Sequence, residues 1–188
     1  MTTNHQTTFF IETPRLILRE IRDEDVHGMF KLDSNPLVHR YLESGYMSES
    51  IHDAQKNIDY IKSQYKDHGI GRWAIIEKSS KSFIGWTGLK LNLDTMNGIS
   101  NFYDIGYRLL PEYWGKGYAT ESAVPSLEYG FIELNIDTIC GIADKDNLAS
   151  QKVLEKIGLN FTNEFHYKPQ NMKLYWYQLS KNDYENLS

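Results

Sequence analysis

The stretch "PEYWGKGYATES", residues 111 to 122, gathers residue types suited to holding an anion. Gly115 and Gly117 flank Lys116, the aromatic pair Tyr113 and Trp114 precedes them, and a helix-like run follows. Glycines let backbone amides approach a ligand with no Cβ in the way. The first-turn N–H groups of a helix lack internal partners, and the helix dipole favours negative charge there. Lys116 adds a full positive charge, so the turn and the helix start together suit a pyrophosphate. Taken alone, Gly-x-Gly reads as readily as a structural turn with a solvated lysine. The common phosphate motifs are absent: there is no G-x-x-x-x-G-K-[ST], and no third glycine completes a dinucleotide fingerprint.

Other chemistries have less support. The six histidines (His5, His27, His39, His52, His68, His166) show no H-x-x-x-H or Cys/His spacing, so no metal site is expected. The lone Cys140 rules out an internal disulfide and, in an apolar run, reads as a small core residue more than a nucleophile. A net charge of −5, from 25 acidic against 20 basic residues, argues against general nucleic-acid binding and tolerates an amine substrate. No apolar run approaches the roughly 18 to 20 residues of a membrane span. The start "MTTNHQTTFF" lacks a secretory pattern, so a cytoplasmic protein without membrane contact is expected. With 13 Tyr, 8 Phe and 4 Trp, aromatics suffice for a core and a ligand pocket alike.

The elements that must position the glycine turn follow from periodicity. The 188 residues suit one domain, read over residues 9–182, with residues 1–8 a flexible N-terminus. "RLILREI" (15–21) alternates as a strand, and "DEDVHGMFKL" (23–32) has the acidic first turn of a helix. In "SESIHDAQKNIDYIKSQY" (48–65), Ile51, Ala54, Ile58, Ile61 and Tyr65 share a helical face. Ser50 and Asp53 form a capping box there, and Gly69 with Gly71 closes the segment. "GRWAIIEK" (71–78), "SFIGWTGLKLNL" (82–93) and "NFYDIGYRLL" (101–110) are strands separated by turn signals, so antiparallel neighbours are expected.

A helix over 121–134 aligns Val124, Leu127, Phe131 and Leu134, with a kink or loosened turn predicted at Pro125. "IDTICGIAD" (136–144) is a buried strand, and "NLASQKVLEKIGL" (147–159) a helix with Asn147 near its N-cap and Gly158 at its stop. Two final strands, 160–168 and 171–180, meet across Pro169. The order β-α-α-β-β-β-α-β-α-β-β predicts an α/β (α+β) fold: a mixed sheet with helices on both faces.

"IGYRLLPEYWGKGYATES" followed by "NLASQKVLEKIGLNF" resembles the GNAT superfamily of N-acetyltransferases. With the opening "TPRLILREIRDEDV", the resemblance spans roughly residues 11 to 180 and is closest to the branch that acetylates the N-terminal alanine or serine of ribosomal proteins. It implies a single-domain, mostly antiparallel sheet of seven strands. It also implies acetyl-CoA as donor, no metal, and an amine acceptor, preferably a protein or peptide N-terminus. The alternatives are a small-molecule amine (polyamine, aminoglycoside, amino acid) or a CoA-binding module without catalysis. A homodimer is a common arrangement for such enzymes.

The resemblance also implies site residues. The loop Trp114, Gly115, Lys116, Gly117, Tyr118 and Ala119, with Thr120, would wrap the CoA pyrophosphate. Glu112 stands where the family has Gln or Arg, and should point away from the phosphates. The strand "DIGYRLL" would splay from its neighbour and pair with the pantetheine arm, the backbone N–H near Leu109, beside Leu110, polarising the thioester carbonyl. Asp104 is the first candidate base, with Glu43 and Glu77 as alternatives. Leu154 replaces the tyrosine that serves many relatives as acid. Ser150 is the candidate hydroxyl donor to sulfur and Asn147 a pantetheine contact, although both also fit plain helix-start roles. Trp73, Trp86 and Tyr103 are candidates to line the acceptor pocket, with core packing the default.

Overall fold

Alternation of apolar and polar residues sets the sheet, and the pairing of its strands decides where the molecule opens. The computed structural model describes residues 10–42 and 47–187, so the 1–8 segment and Glu43 lie outside the described residues. A short strand β1 (Phe10–Glu12) pairs antiparallel with β2 (Leu16–Glu20), which buries Leu16 and Leu18. Helix α1 (Val26–Asp33), the single turn α2 (Pro36–His39) and α3 (Ile51–His68) follow. The α3 start carries the expected capping box of Ser50 and Asp53, and Gly69 ends the helix at φ 68°. Strands β3 (Arg72–Glu77), β4 (Phe83–Asn92) and β5 (Phe102–Leu109) then form an antiparallel meander.

Helix α4 (Tyr118–Glu128) crosses over the sheet to β6 (Thr138–Asp144), which runs parallel to β5. Helix α5 (Leu148–Lys156), β7 (Asn160–Tyr167), β8 (Met172–Ser180) and a last turn α6 (Lys181–Glu185) complete the chain. The sheet order is β1-β2-β3-β4-β5-β6-β8-β7. Among the described residues it has eight strands where seven were expected. The extra one is β1, whose three residues are too few to show an alternation. The single-turn helices α2 and α6 were also not anticipated; Asn35 and Ser180 cap them through side-chain oxygens.

Helices cover both faces. On one, Met29 and Leu32 of α1 and Ala54 and Ile58 of α3 pack with Ala74 and Leu110. On the other, Ala123 and Leu127 of α4 and Leu154 of α5 pack with Leu89, Ile105 and Ile139. Helix α4 runs through Pro125 as a continuous α-helix, and the loosened turn lies beyond it, as a π-turn over Tyr129–Glu133. Burial of Ala123 and Leu127 on either side of Pro125 holds the helix where one backbone bond is missing. Among the described residues, no helix is long and apolar enough to cross a membrane.

The sheet is least continuous at the junction of β5 and β6. Their parallel register covers only Tyr103 to Ile105 against Ile139 to Gly141. Beyond it β5 stays with β4, while β6 continues alongside β8 as far as Asp144. The sheet therefore splits, and the open edge of β5 leads straight to the glycine turn.

Candidate active site

The turn after β5 is built by two left-handed glycines. Gly115 has φ 70° and Gly117 has φ 81°, conformations that cost an L-residue roughly 1–2 kcal/mol. Gly117 is the N-cap of α4 and places no side chain over the helix start, so the first-turn N–H groups stay open to an anion. Trp114 is exposed and donates its indole N–H to Leu109 O at 2.8 Å, closing the turn on the strand that precedes it. The Lys116 ammonium lies 5.2 Å from the Tyr113 ring centre. Tyr118 is buried, and Ala119 and Thr120 are half-buried on the first turn. Glu112 turns to α1, where Lys31 Nζ meets it at 2.6 Å, away from the open helix start. That bond holds its carboxyl below the usual range.

Sequence reasoning missed what fixes this turn from behind. The Arg15 guanidinium donates to Lys116 O at 2.9 Å and to Glu121 Oε2 at 2.6 Å, and stacks 4.3 Å from the Tyr118 ring centre. Glu121 Oε1 also accepts from Thr13 Oγ1 and from the Arg15 N–H. Burial alone would raise the Glu121 carboxyl, but these hydrogen bonds more than offset it, and its pKa lies below the ordinary value. Glu77, an alternative base, accepts the Tyr118 hydroxyl at 2.6 Å and the Ser80 hydroxyl. These bonds tie Glu77 to Tyr118 in the first turn of α4.

Beyond Ile105 the β5 edge that faces β6 has no strand partner among the described residues, and the Leu109 carbonyl there is held by the Trp114 indole. Leu110 N–H donates to Ile84 O at 2.9 Å, so that residue faces β4. Alternate residues of a strand face opposite neighbours; Tyr103 and Ile105 turn their main chain to β6, and Tyr107 and Leu109 continue that edge beyond the last paired residue. Leu110 therefore contributes an apolar side chain to the α1–α3 core, while the Leu109 N–H opens into the split. Across the gap, Tyr107 reaches α5: its hydroxyl donates to Ser150 O at 2.9 Å and lies 3.2 Å from Ser150 Oγ. Burial pushes the Tyr107 phenol well above its ordinary pKa, so it stays protonated. Asn147 Oδ1 caps α5 by accepting Ser150 N–H at 3.1 Å, and among the described residues its amide NH₂ has no hydrogen-bond partner. Leu154, at the position of the missing tyrosine, is core.

The Tyr107–Ser150 contact lies on the α4–α5 side of the split, and two ion pairs lie on the α1–α3 side. There Asp104, expected as the base, is held on both oxygens: Oδ2 by Arg72 Nη2 at 2.6 Å and Oδ1 by Asn92 Nδ2 at 2.5 Å. The Arg72 guanidinium lies across Gly106, 2.8 Å from where a Cβ would stand, and also donates to Gly88 O. Arg108 pairs with Asp33 at 2.8 Å, and Asn57 holds the other Asp33 oxygen at 3.0 Å. Both guanidiniums lie over Trp86, at 5.3 and 5.0 Å, which makes Trp86 the floor of this face. Trp73 packs on the opposite face, against Tyr129, and Tyr103 against the α4–α5 core. Cys140 is buried, and its thiol is raised to about 11 by desolvation.

A separate depression of about 470 Å³, lined by Arg19, Asp25, Lys81 and Phe83 among others, lies by β2 and β3. Arg19 and Asp25 pair there at 2.7 Å, and neither the glycine turn nor the split contributes to it. Among the described residues, no group of three or more His, Cys, Asp or Glu could hold a metal.

Comparison with known proteins agrees with this geometry. Residues 15–160 match the family model described as acetyltransferase (GNAT) domain. The chain is 34% identical to the uncharacterized N-acetyltransferase YoaA of Bacillus subtilis (strain 168), over 79% of this chain and 81% of that one. A ribosomal-protein-S5-alanine acetyltransferase from Vibrio fischeri shares the fold with TM-score 0.75 and 17% identity, covering 94% of this chain and 98% of that one. So does a spermidine N-acetyltransferase from Vibrio cholerae, crystallised with CoA and spermine, with TM-score 0.73 and 20% identity over 93% and 100% of the two chains. The splayed β5 edge, the glycine turn at the start of α4 and the family match together make this chain a member of the GNAT acetyltransferase family.

Proposed function

We propose that this acetyl-CoA-dependent N-acetyltransferase acts on the α-amine of a peptide or protein N-terminus. The observation that carries the acceptor class is that the two carboxylates described beside Trp86, on the side where the acceptor would approach, are already paired. Asp104 and Asp33 are both already ion-paired, with Arg72 and Arg108. A polyamine would need unpaired carboxylates for its remaining ammonium groups, whereas a chain terminus brings a single amine. That amine has a pKa near 7.7–8.0, against about 10.4 for a lysine-type amine, so it loses its proton easily near neutral pH.

Acetyl-CoA supplies an activated thioester carbonyl. The residues present fit it: open N–H groups at the α4 start with Lys116 for the pyrophosphate, and the β5 edge beyond Ile105 for the pantetheine. In this reading Gly115 to Thr120 hold the phosphates, and Asn147 offers its amide to the pantetheine. The Leu109 N–H polarises the thioester oxygen, stabilising negative charge as it develops there. The amine nitrogen bonds to the carbonyl carbon, the C–S bond breaks, and the thiolate takes a proton. Ser150, oriented by Tyr107, can donate near the sulfur, although a thiol pKa of about 8.5 makes an acid dispensable. Asp104 is engaged with Arg72 and Asn92, and we take water as the acceptor of the amine proton. We assign Asp104 to holding Arg72 in place.

The test is CoA release from acetyl-CoA across peptides with free or blocked N-termini and across polyamines. Turnover with free N-termini and not with spermidine is expected. Preferential turnover of polyamines would overturn the acceptor class. CoA binding without turnover of any amine would favour a non-catalytic binding module.

A further inference from the structure

Arg108 is incompletely used. Its Nη1 meets Asp33 and its guanidinium rests over Trp86, yet Nε and Nη2 have no hydrogen-bond partner among the described residues. Its side chain is largely buried, with 20% left exposed. In sequence it directly precedes Leu109, whose N–H opens into the split. Near the Arg108 charge, on α2, His39 is only 7% exposed, and neither ring nitrogen makes a well-formed hydrogen bond to the described residues, the Asp33 backbone offering only a weak one. Burial and then the Arg108 charge hold the imidazole below its ordinary pKa, with Asp33 drawing it the other way. The ring is therefore neutral near pH 7, with one N–H to donate. A buried polar group left without a partner costs about 1–3 kcal/mol, and a ligand that bonds it removes that cost.

We infer that Arg108 and His39 form an acceptor subsite that hydrogen-bonds an oxygen carried on the carbon next to the aminated one. That oxygen is the first carbonyl of a peptide, or the carboxylate of a free amino acid. The inference rests on the transferase reading above. In an α-aminoacyl group, nitrogen and carbonyl oxygen are separated by only two carbons. An amine directed at the thioester beside Leu109 therefore brings this oxygen to the side chain of the preceding residue. An alkylamine or polyamine has no such oxygen and leaves both groups unpaired. A site built to bond a substrate polar group discriminates strongly against an analogue that lacks it.

The experiment compares kcat/KM for an alanine-initiated peptide, free alanine and a simple alkylamine, in wild type and in Arg108→Lys and His39→Leu. Wild type should prefer the oxygen-bearing acceptors, and the first two substrates distinguish a peptide carbonyl from a carboxylate. Arg108→Lys keeps a cation for Asp33 but loses the guanidinium fork, so KM for the preferred acceptor should rise about tenfold. The alkylamine should change by less than about twofold. His39→Leu should shift the same ratio, and His39→Gln, which restores an N–H donor, should recover part of it. Equal losses on all acceptors, or a wild type without preference, would overturn the subsite. Should Arg108→Lys fail to fold by thermal melting, His39→Leu decides, since no ion pair depends on that ring. Failure of the transferase reading is distinct: wild type would then release CoA with none of the amines.

Discussion

Asp104 shows how partners, more than residue type, decide a role. Its position on β5 is what a base would need, but Arg72 and Asn92 occupy both oxygens. Arg72 and Asp104 are 10% and 15% exposed, so neither charge has water as a ready substitute. Asp104→Asn removes one member of a largely buried pair, and such losses cost about 3–5 kcal/mol. The melting temperature should fall by about 6 °C or more for a chain of this size. The double variant Arg72→Met, Asp104→Leu should recover much of that fall, because it leaves no uncompensated charge. The rise of kcat/KM with pH should persist in Asp104→Asn, since it reports the acceptor amine. A variant with wild-type melting and a flattened pH–rate profile would restore Asp104 as the base.

At the scale of elements, the anion turn depends on a strand that is distant in sequence. Thr13 and Arg15, at the approach to β2, converge on Glu121 in the first turns of α4, and Arg15 also holds Lys116 O. Glu121→Gln should cost about 1–3 kcal/mol, as expected for hydrogen bonds to a charged group, and should weaken CoA binding through the loosened turn. The sign of its pH dependence follows from the depressed carboxyl. The contribution is complete above the ordinary value of 4.5 and is lost as pH falls through the lower folded value. Urea melts of wild type and variant should therefore differ near neutral pH and converge in strong acid; a constant difference would remove the charge from the explanation.

This pairing also marks the limit of what was legible in the sequence. Gly115, Gly117 and Asn147 act through local backbone geometry, which spacing discloses. The Arg15–Glu121 and Arg108–Asp33 pairs join residues 106 and 75 apart, and only the assembled sheet brings them together. No periodicity marks such partners. The same holds for Asp104, whose Arg72 reaches it across Gly106.

In the molecule as a whole, the sheet consists of β1 to β5 on one side and β6, β8 and β7 on the other. Along the seam they share only three register positions, supported by the Tyr107 contact to Ser150 and by the helices. A pantetheine arm lying along Tyr107 and Leu109 would continue the β5 edge where β6 departs, so donor binding should couple to the stability of the seam. At a ligand concentration 100 times Kd, binding to the native state alone contributes about 2.7 kcal/mol, or about 5–10 °C in melting temperature. Loose closure of a site elsewhere would produce the same shift, so the location of the protection is the decisive measurement. Amide hydrogen exchange with and without CoA should slow at Leu109 and Tyr107 and at the first turn of α4. It should change little at Leu110, whose N–H is already bonded to Ile84 O. Tyr107→Phe should weaken the seam by about 1 kcal/mol without CoA, by losing the bond to Ser150. Protection at Leu110 and none at Leu109 would mean that the donor does not lie in the split.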